Sequence, residues 1–289
     1  MAQNDNGSSR PILGVFASAT HHQDMTIQRR EVAFEFHDVP RDWCGDNPYS
    51  TTMLAALSMF FPEGEKFFVD SLKPYKDSPD VAGFIGQEAM HGREHRAFNE
   101  LLVTHGYTAA PAIDRRLRRF LKRVRHVLSP KSQLAVTCAL EHFTAIMAER
   151  LLRDERMREE LHSSVRSLWL WHALEESEHK AVAFDAYRAA GGGYVRRIRI
   201  MLLATIIFFL ATGIAQTRLL AQRGVLHKPW TWLRGIGRIW IYPGHFLRLV
   251  PAYLTYYRPG FHPNDRDTAE LLARWERELF DRRELRAVG

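Results

Sequence analysis

The stretch Leu168–Asp185, LWLWHALEESEHKAVAFD, places His172, Glu176 and His179 at intervals of four and three residues. At about 100° per residue, a helix brings these three side chains into an arc of roughly 60°. Trp169 lies beside them on that face, so the polar groups are expected to point toward packed apolar side chains. Burying such groups is costly unless a partner binds them. The stretch therefore predicts a helix that presents metal ligands to the core.

A second stretch, Phe84–Leu102, repeats this pattern. Its sequence, FIGQEAMHGREHRAFNELL, places Glu88, His91 and His95 within a similar arc. One such stretch is also compatible with a solvated helix and chance histidines, but two Glu-x-x-His helices indicate a shared site. Four-helix proteins with two iron or manganese ions use this motif from two helices and one Glu from each of the others. The chain is therefore predicted to be all-α, with a ferritin-like four-helix bundle.

The first additional carboxylate comes from Leu57–Leu72, LSMFFPEGEKFFVDSL. Glu63 and Glu65 in this stretch lie about 200° apart on a helix, so they cannot both face the core. Glu65 shares its face with Phe68, whereas Glu63 lies beside Lys66. Glu65 is therefore the predicted ligand, and Glu63 is assigned to the solvated face.

The second additional carboxylate comes from Leu134–Leu152, LAVTCALEHFTAIMAERLL. Glu141 lies on a face of small and apolar side chains that includes Cys138 and Ala145. An acid on such a face needs a partner, so Glu141 is the predicted ligand. Glu149 lies near two arginines and is assigned to solvent.

The predicted ligands are four glutamates and two histidines: Glu65, Glu88, His91, Glu141, Glu176 and His179. His95 and His172 face the same way and have two predicted roles. As ligands they make the site rich in nitrogen, and as neighbours of the ligands they orient the carboxylates. Carboxylates and imidazoles together suit iron or manganese, and zinc in a hydrolase. We expect two iron ions, with manganese or zinc as alternatives.

The chain also resembles a known family over roughly residues 26–263. Five segments carry the resemblance, namely PEGEKFF, FIGQEAMHGREH, EHFTA, WHALEESEHKAVAFD and RPGFHP. They resemble the bacterial family of predicted metal-dependent hydrolases, which implies a metal site more firmly than it implies hydrolysis. Separately, the spacing of His172, Glu176 and His179 resembles the last metal-binding helix of the di-iron arylamine N-oxygenases. That resemblance implies an additional histidine ligand.

Composition favours a cytoplasmic protein associated with the inner membrane. The chain has 289 residues and is 46% hydrophobic, enough for one large domain or a domain with an appendage. Two cysteines are too few for a disulfide framework, and the N-terminus lacks the pattern of a secretory signal. The net charge of +7 favours anionic partners. Because aromatic residues are dense in the last third, the pattern favours a membrane surface over nucleic acid.

Three regions are predicted along the chain. Residues 1–25 form a polar, flexible lead-in, and residues 26–190 form the two-metal bundle. Residues 191–289 form a hydrophobic, aromatic and basic helical extension that packs on the bundle or on membrane. Within the bundle, residues 26–40 are predicted to be a short strand or an extended arm. The fourth bundle helix is predicted to continue to the glycines at 191–193, which break helices.

Three segments have more than one predicted role. The basic amphipathic segment 113–127 either contacts anionic membrane or phosphate groups, or packs its apolar stripe on the bundle. The apolar run 200–215 is a little short for a bilayer span of about 20 residues. It is predicted to be a packing or tunnel helix, a membrane-dipping helix or a true span. Aromatic and basic residues are interleaved over 230–261, a pattern typical of a membrane boundary or of a cap on the bundle.

The leading functional hypothesis is a di-iron oxygenase or oxidase acting on an apolar or lipid-like substrate delivered from the C-terminal region. The second is a two-metal hydrolase of an ester, amide or phosphate. The third is a metal-storage or peroxide-scavenging bundle. An oxygenase needs an electron donor, and a homodimer is one expected assembly. Phosphate-binding glycine loops, serine-hydrolase elbows and C-x-x-C zinc spacing are absent from the sequence, and no nucleic-acid partner is expected.

Overall fold

The computed structural model describes residues 27–242 and 244–281. Within these ranges the chain is all-α and forms no β-strand, which confirms the predicted class. The helices are α1 (Pro48–Leu72), α2 (Pro79–Thr104), α3 (Ala110–Val127), α4 (Pro130–Arg153), α5 (Glu155–Glu160), α6 (Ser163–Glu178), α7 (Val182–Ala189), α8 (Tyr194–Gln222), α9 (Pro229–Ile236), α10 (Val250–Thr255) and α11 (Ala269–Glu276). Short 3-10 or π-helical turns occupy 73–75, 237–241, 247–249, 263–265 and 277–281. The predicted lead-in, residues 1–25, lies outside the described residues.

Local signals begin three of the long helices. A proline occupies the first helical position of α1, α2 and α4, where a missing N–H costs nothing. Asn47 caps α1 by accepting hydrogen bonds from the backbone N–H groups of Tyr49 and Ser50. Ser129 caps α4 by accepting one from the N–H of Ser132. These starts were readable from the sequence because each depends on adjacent residues only.

Four helices, α1, α2, α4 and α6, surround one space in the centre of the molecule. α1 packs against α2 and α4, and α6 packs against the same two helices. These are the four helices that carry the predicted metal-ligand motifs. Their packing brings the motifs together, while the more specific assignment to a ferritin-like bundle stays a prediction.

The helix with the last motif is shorter than predicted. α6 ends at Glu178, His179 occupies its C-terminal cap, and α7 begins at Val182. Lys180 lies in the turn between them and donates hydrogen bonds to backbone and side-chain oxygens within 266–268. These contacts tie the turn to the C-terminal segment, and local hydrophobic periodicity carries no sign of them. The prediction of one continuous fourth helix is therefore wrong at this turn.

Residues 27–40 form an extended arm that lies across α2. The Gln87 side chain donates a hydrogen bond to the backbone oxygen of Gln28. A Cβ added at Gly83 would lie 2.2 Å from the backbone oxygen of Ile27, so this glycine permits the close approach. Of the two predicted alternatives, strand or extended arm, the structure has the arm.

The C-terminal helices pack on the outside of these four helices. α8 lies against α1 and α4, α9 against α1, α10 against α4, and α11 against α4 and α6. One face of α8 buries Met201 and Leu219, while another exposes Ile206. In the described part of the chain, α8 is the one helix long and apolar enough to cross a membrane, and 17% of its most apolar 18-residue window is buried. The same helix thus packs on its neighbours and exposes an apolar face.

Candidate metal centre

The helices bring all eight predicted site residues into the core. Each of them is at most 4% exposed. They are Glu65 of α1, Glu88, His91 and His95 of α2, Glu141 of α4, His172 and Glu176 of α6, and His179 of the α6 cap. Groups that are far apart in the sequence therefore share one buried space.

Two groups of ligand-type atoms lie side by side in this space. Glu65, His91 and His172 form the first group, and within it the ligand atoms lie within 4.8 Å of one another. Glu88, Glu176 and His179 form the second group at the same spacing. Glu141 adjoins the second group, with its Oε2 3.4 Å from His179 Nε2. The arrangement has room for one cation in each group.

Two carboxylates lie between the groups. Glu88 Oε1 is 3.0 Å from His179 Nε2 and 3.8 Å from His91 Nδ1. Glu176 Oε1 is 3.7 Å and 3.5 Å from the same two nitrogens. A carboxylate this close to both imidazoles would be available to a cation held in either group.

Many polar atoms of the centre have no hydrogen-bond partner among the described residues. Both carboxylate oxygens of three glutamates, one of a fourth, and one nitrogen of each of two histidines are buried and unpaired. They belong to Glu65, Glu88, Glu141, Glu176, His91 and His179. Buried polar groups are usually paired, and each unpaired one costs about 1–3 kcal/mol. These six residues are the ones that the sequence selected as ligands.

Hydrogen bonds orient the two imidazoles so that one nitrogen of each remains free. His91 Nε2 lies 3.0 Å from Glu175 Oε2, and His179 Nδ1 lies 2.9 Å from Gln87 Oε1. Glu175 is itself held by an N–H of Trp171, 3.0 Å away. Metal-binding histidines commonly have such partners on the ring nitrogen remote from the metal. Sequence reasoning missed Gln87 and Glu175 in this role, since only the packing of α2 against α6 shows it.

His95 and His172 differ in position, which separates the two roles predicted for them. His172 Nε2 lies 3.0 Å from Glu176 Oε1 and 3.8 Å from Glu65 Oε1, so it reaches the carboxylates. His95 lies behind it, with Nε2 2.7 Å from His172 Nδ1 and Nδ1 2.9 Å from Ser58 Oγ. Both nitrogens of His95 are therefore engaged within the protein. The geometry favours the orienting role for His95 and the ligand role for His172.

Burial and mutual repulsion raise the pKa of three of the four carboxyl groups. Burial, followed by the charge of Glu88, raises the pKa of Glu65 well above its usual value. Burial and the charge of Glu176 likewise raise the pKa of Glu88, and they raise the pKa of Glu141 to about 8. Burial also acts on Glu176, but its hydrogen bond with His172 and the nearby imidazoles of His179 and His91 outweigh it and hold that pKa well below its usual value. Protons or cations must neutralise such a cluster.

Two divalent cations match the charge and the donors of this centre. Four carboxylates carry four negative charges when ionised, which two divalent ions balance. Carboxylate and imidazole donors together suit iron, manganese and zinc. The residues present therefore fit a two-metal site, and the identity of the metals stays a prediction.

Two glutamates that the sequence assigned to solvent are in fact buried. Glu63 is 6% exposed and accepts a hydrogen bond from Arg118 of α3 at 2.9 Å. Glu149 is 7% exposed and accepts hydrogen bonds from Arg153 and Arg266, each at 2.8 Å. The solvated assignment is wrong because long arginine side chains, rather than water, neutralise these acids. Arg118 comes from another helix, whereas Glu149 is paired with Arg153 of its own helix and with Arg266. Their exclusion from the ligand set is unaffected, since both are paired.

A cavity of about 130 Å³ adjoins the metal centre. α6 lines it with Trp169, His172, Ala173 and Glu176, which share one face of the helix. α1 and α4 line it with residues between 50 and 61 and between 144 and 151. Most of these side chains are apolar. The cavity therefore gives an apolar molecule access to two residues of the centre.

Residues 239–242 and 244–249, which we name the cavity cover, contribute to another side of the cavity. Ile239, His245, Phe246 and Leu249 line it. Leu247 in the same segment is 54% exposed. The same short stretch thus contributes both to the cavity lining and to the exposed apolar surface of the C-terminal region.

Comparison with known proteins gives one match. Residues 28–267 match a family model described as predicted metal-dependent hydrolase. No curated protein and no solved structure matches the chain. The matched range includes every residue of the centre and every residue that lines the cavity.

Proposed function

We propose a function from one premise: this chain belongs to the family of predicted metal-dependent hydrolases. We infer that it is an enzyme with two metal ions in one buried centre. The proposed ligands are Glu65, Glu88, His91, Glu141, Glu176 and His179, with His172 as a further donor. The proposed substrate is an apolar molecule that occupies the adjoining cavity.

The convergence of unpaired buried atoms carries the metal proposal. A purely structural network would pair its acids with arginines, as this chain does at Glu63 and Glu149. The centre instead leaves both oxygens of Glu65, Glu88 and Glu141 without a hydrogen bond from any described residue. Such an arrangement is stable when cations replace the missing partners, because the positive charge of the cations neutralises the ionised carboxylates. Metal ligands must be deprotonated, so binding displaces protons from the centre.

The surroundings of the centre exclude water. The ring of Phe61 packs on His95 and His172, with ring centroids 4.7 Å and 4.6 Å apart. Trp169 packs on His95 at 5.4 Å, and Trp171 packs on His91 at 4.9 Å.

Bound iron would supply O₂-dependent oxidation, and bound zinc or manganese would supply water activated for hydrolysis.

We propose oxidation by O₂ as the reaction class, with a separate electron donor if the protein is an oxygenase. The cavity that reaches His172 and Glu176 is mainly apolar, which favours entry of O₂ and of an apolar substrate. Exclusion of water also protects reactive oxygen chemistry from side reactions. A storage or scavenging role would leave the cavity and its cover without a use.

Hydrolysis is the second candidate, and the family description favours it. The same carboxylates and imidazoles would hold two ions that activate water, and an ester or amide with an apolar body would fit the cavity. Both candidates need the same ligands, so they differ in metal and in the requirement for O₂.

The deciding experiment loads metal-free protein with ferrous iron under nitrogen and then admits air. We expect O₂ uptake and a new visible absorption band, neither of which appears in Glu65→Gln. Zinc-loaded protein that turns over an ester, amide or phosphate, together with an absence of O₂ uptake by the iron form, would establish hydrolysis instead. If the protein continues to take up iron until it holds many iron ions per chain, the result would favour storage.

We also propose that the enzyme works at an anionic membrane surface. Exposed apolar side chains cover the outside of the C-terminal helices and of the cavity cover. These residues, which we name the apolar face, are Leu202, Leu203, Ile206, Leu210, Ile214, Trp230, Leu233, Ile241, Tyr242, Leu247 and Leu254. Large exposed apolar surfaces commonly mark protein or membrane contacts.

The charge around the apolar face selects the membrane as its partner. Residues 186–264 contain eleven Lys or Arg and no Asp or Glu. Arg199, Arg234 and Arg248 are among the exposed ones. Basic side chains beside aromatic and aliphatic ones suit anionic headgroups above an apolar layer. Because Leu247 belongs to the cavity cover, a lipid-derived substrate would reach the cavity from this surface.

The membrane proposal predicts flotation with vesicles that contain anionic lipid and much weaker flotation with neutral vesicles. Ile241→Glu combined with Leu247→Glu is expected to weaken vesicle binding by at least about tenfold, since burying such a side chain is worth roughly 1.5–3 kcal/mol. Ala82→Glu combined with Ala89→Glu is the matched control, because both alanines are exposed on α2 outside the apolar face and the two changes add the same charge. Equal effects of the two changes, or no flotation of the unchanged protein, would overturn the proposal.

A further inference from the structure

The cavity beside the metal centre has a second polar end. At one end it meets His172 and Glu176, and it also meets Ser50, Glu160 and His245. Ser50 and Phe61 line it from the same helix, and eleven residues of helix span roughly 16 Å. A lining that extends over such a length describes an elongated space rather than a round one. It fits an unbranched chain better than a bulky ring system.

His245 has unused hydrogen-bonding capacity at this second end, although its Nε2 lies 3.5 Å from Glu160 Oε1. Its side chain is buried, with 8% of the residue exposed, and neither ring nitrogen has a hydrogen-bond partner among the described residues. The hydroxyl of Ser50 is also buried and unpaired. Both side chains line the cavity. A hydrogen-bonding group inside the cavity would satisfy them and remove the cost of leaving them unpaired.

The charged groups near His245 are already neutralised in pairs. Arg238 lies 2.6 Å from Glu160 Oε1, and His245 Nε2 lies 3.5 Å from the same oxygen. Arg150, which also lines the cavity, is paired with Asp154. Because each guanidinium has its own carboxylate, neither is left to bind an anionic ligand. The second end therefore suits a neutral group that donates or accepts hydrogen bonds.

We propose that His245 and Ser50 form a subsite for a neutral polar group carried by a linear apolar molecule. An alcohol, carbonyl or amide at one end of an unbranched chain has this chemistry. Bound in this way, the chain lies along α1, α4 and α6 and presents its other end to His172 and Glu176. The inference rests on the proposed function in taking the bound molecule to be the substrate. It names a substrate class and the residues that select it.

Binding to the metal-free full-length protein tests the subsite without any metal chemistry. The ligands are 1-decanol, decane and decyl phosphate, compared by equilibrium dialysis. We expect 1-decanol to bind about tenfold more tightly than decane, which is the effect of one or two hydrogen bonds in a buried site. Decyl phosphate is expected to bind more weakly than 1-decanol, because the subsite offers no free cation.

His245→Phe is expected to abolish the preference for the alcohol and to leave decane binding unchanged, since the ring is kept and its nitrogens are removed. Ser50→Ala should reduce the preference partly, and it provides a second measurement if the first variant is poorly folded. The matched control is His142→Phe, another buried histidine, which does not line this cavity.

Equal affinity for 1-decanol and decane, tightest binding of decyl phosphate, or the same loss in His142→Phe would each overturn the subsite. Failure of the metal proposal is distinguishable from these results. It would appear as unchanged metal content in Glu65→Gln, while the alcohol preference of the metal-free protein would persist.

Discussion

Replacing Glu65 by Gln is expected to remove at least one of the two metal ions per chain, whereas Glu63→Gln leaves the metal content unchanged. Both residues are buried glutamates of α1, two positions apart. Glu65 has two unpaired oxygens and belongs to the group with His91, whereas Glu63 is paired with Arg118. Mutation of a residue that hydrogen-bonds to a metal ligand commonly lowers metal affinity about 10–100-fold. Loss of a ligand itself should therefore lower metal affinity about 100-fold or more.

The stability of the same two variants separates a metal ligand from a structural acid. Burial raises the pKa of Glu65 well above its usual value, so its ionised form is costly without a cation. Metal-free Glu65→Gln should therefore melt at the same temperature as the unchanged protein or higher. Glu63→Gln should melt slightly lower, because it loses one partly exposed ion pair worth about 0–1 kcal/mol.

Metal analysis after dialysis and thermal melting of the metal-free forms provide both readouts. Full metal content in Glu65→Gln would contradict the proposed ligand set. A large loss of metal-free stability in that variant would show that Glu65 has an ordinary structural role.

Metal-free protein is expected to lose stability as the pH rises from 6.5 to 8, and metal-loaded protein is expected to lose much less. The pKa of Glu141 in the fold is about 8, against 4.5 for an unperturbed group. Between these values the unfolded chain has released a proton that the folded chain still binds, so rising pH favours unfolding. Glu65 and Glu88, whose pKa values burial also raises, act in the same direction. Bound cations replace these protons and remove the dependence.

The basic groups define the pH window. Burial lowers the pKa of His91 and His179, but the carboxylates close to both rings outweigh it and raise these pKa values well above the usual one. Their stabilising contribution is therefore also lost as the pH rises. Burial lowers the pKa of His172 to about 4. This group therefore makes stability rise with pH, but only below pH 6.5. Burial lowers the pKa of Lys180 to about 8. Lys180 therefore also makes stability rise with pH, but only above pH 8.

The expected size of the effect is measurable by melting curves. One proton over about 1.5 pH units corresponds to about 2 kcal/mol. For a domain of this size that shifts the Tm by roughly 4–8 °C. Glu141→Gln should flatten the pH dependence of the metal-free protein. Parallel curves for metal-free and metal-loaded protein would contradict the prediction.

The six proposed ligands could be selected from the sequence because their spacing is a local property. Residues three and four apart share a helix face whatever the rest of the chain does. Glu88 with His91, and Glu176 with His179, were selected for this reason. The choice of one acid over its neighbour, as for Glu65, followed from the apolar side chains on its face. The structure brings these residues together, and their role as ligands remains a proposal for metal analysis to test.

The roles of individual histidines were not readable in this way. His95 follows one Glu-x-x-His motif by four residues and His172 precedes the other by four, so each shares the face of its motif and the sequence left both roles open for each. The distance of 2.7 Å between them, and the hydroxyl of Ser58 behind His95, arise from the packing of α1, α2 and α6. Periodicity describes the face of one helix and contains no distance to another.

The sequence by itself determined an all-α chain, the helices that carry the four acidic motifs, and the apolar, basic character of the last third. Helix caps and side-chain periodicity produce these features through neighbours a few positions apart. Tertiary structure alone decided the end of α6 at Glu178, the burial of Glu63 and Glu149, and the cavity that connects the metal centre with His245. Each of these depends on contacts between residues far apart in the chain, and local patterns cannot encode which distant side chains meet.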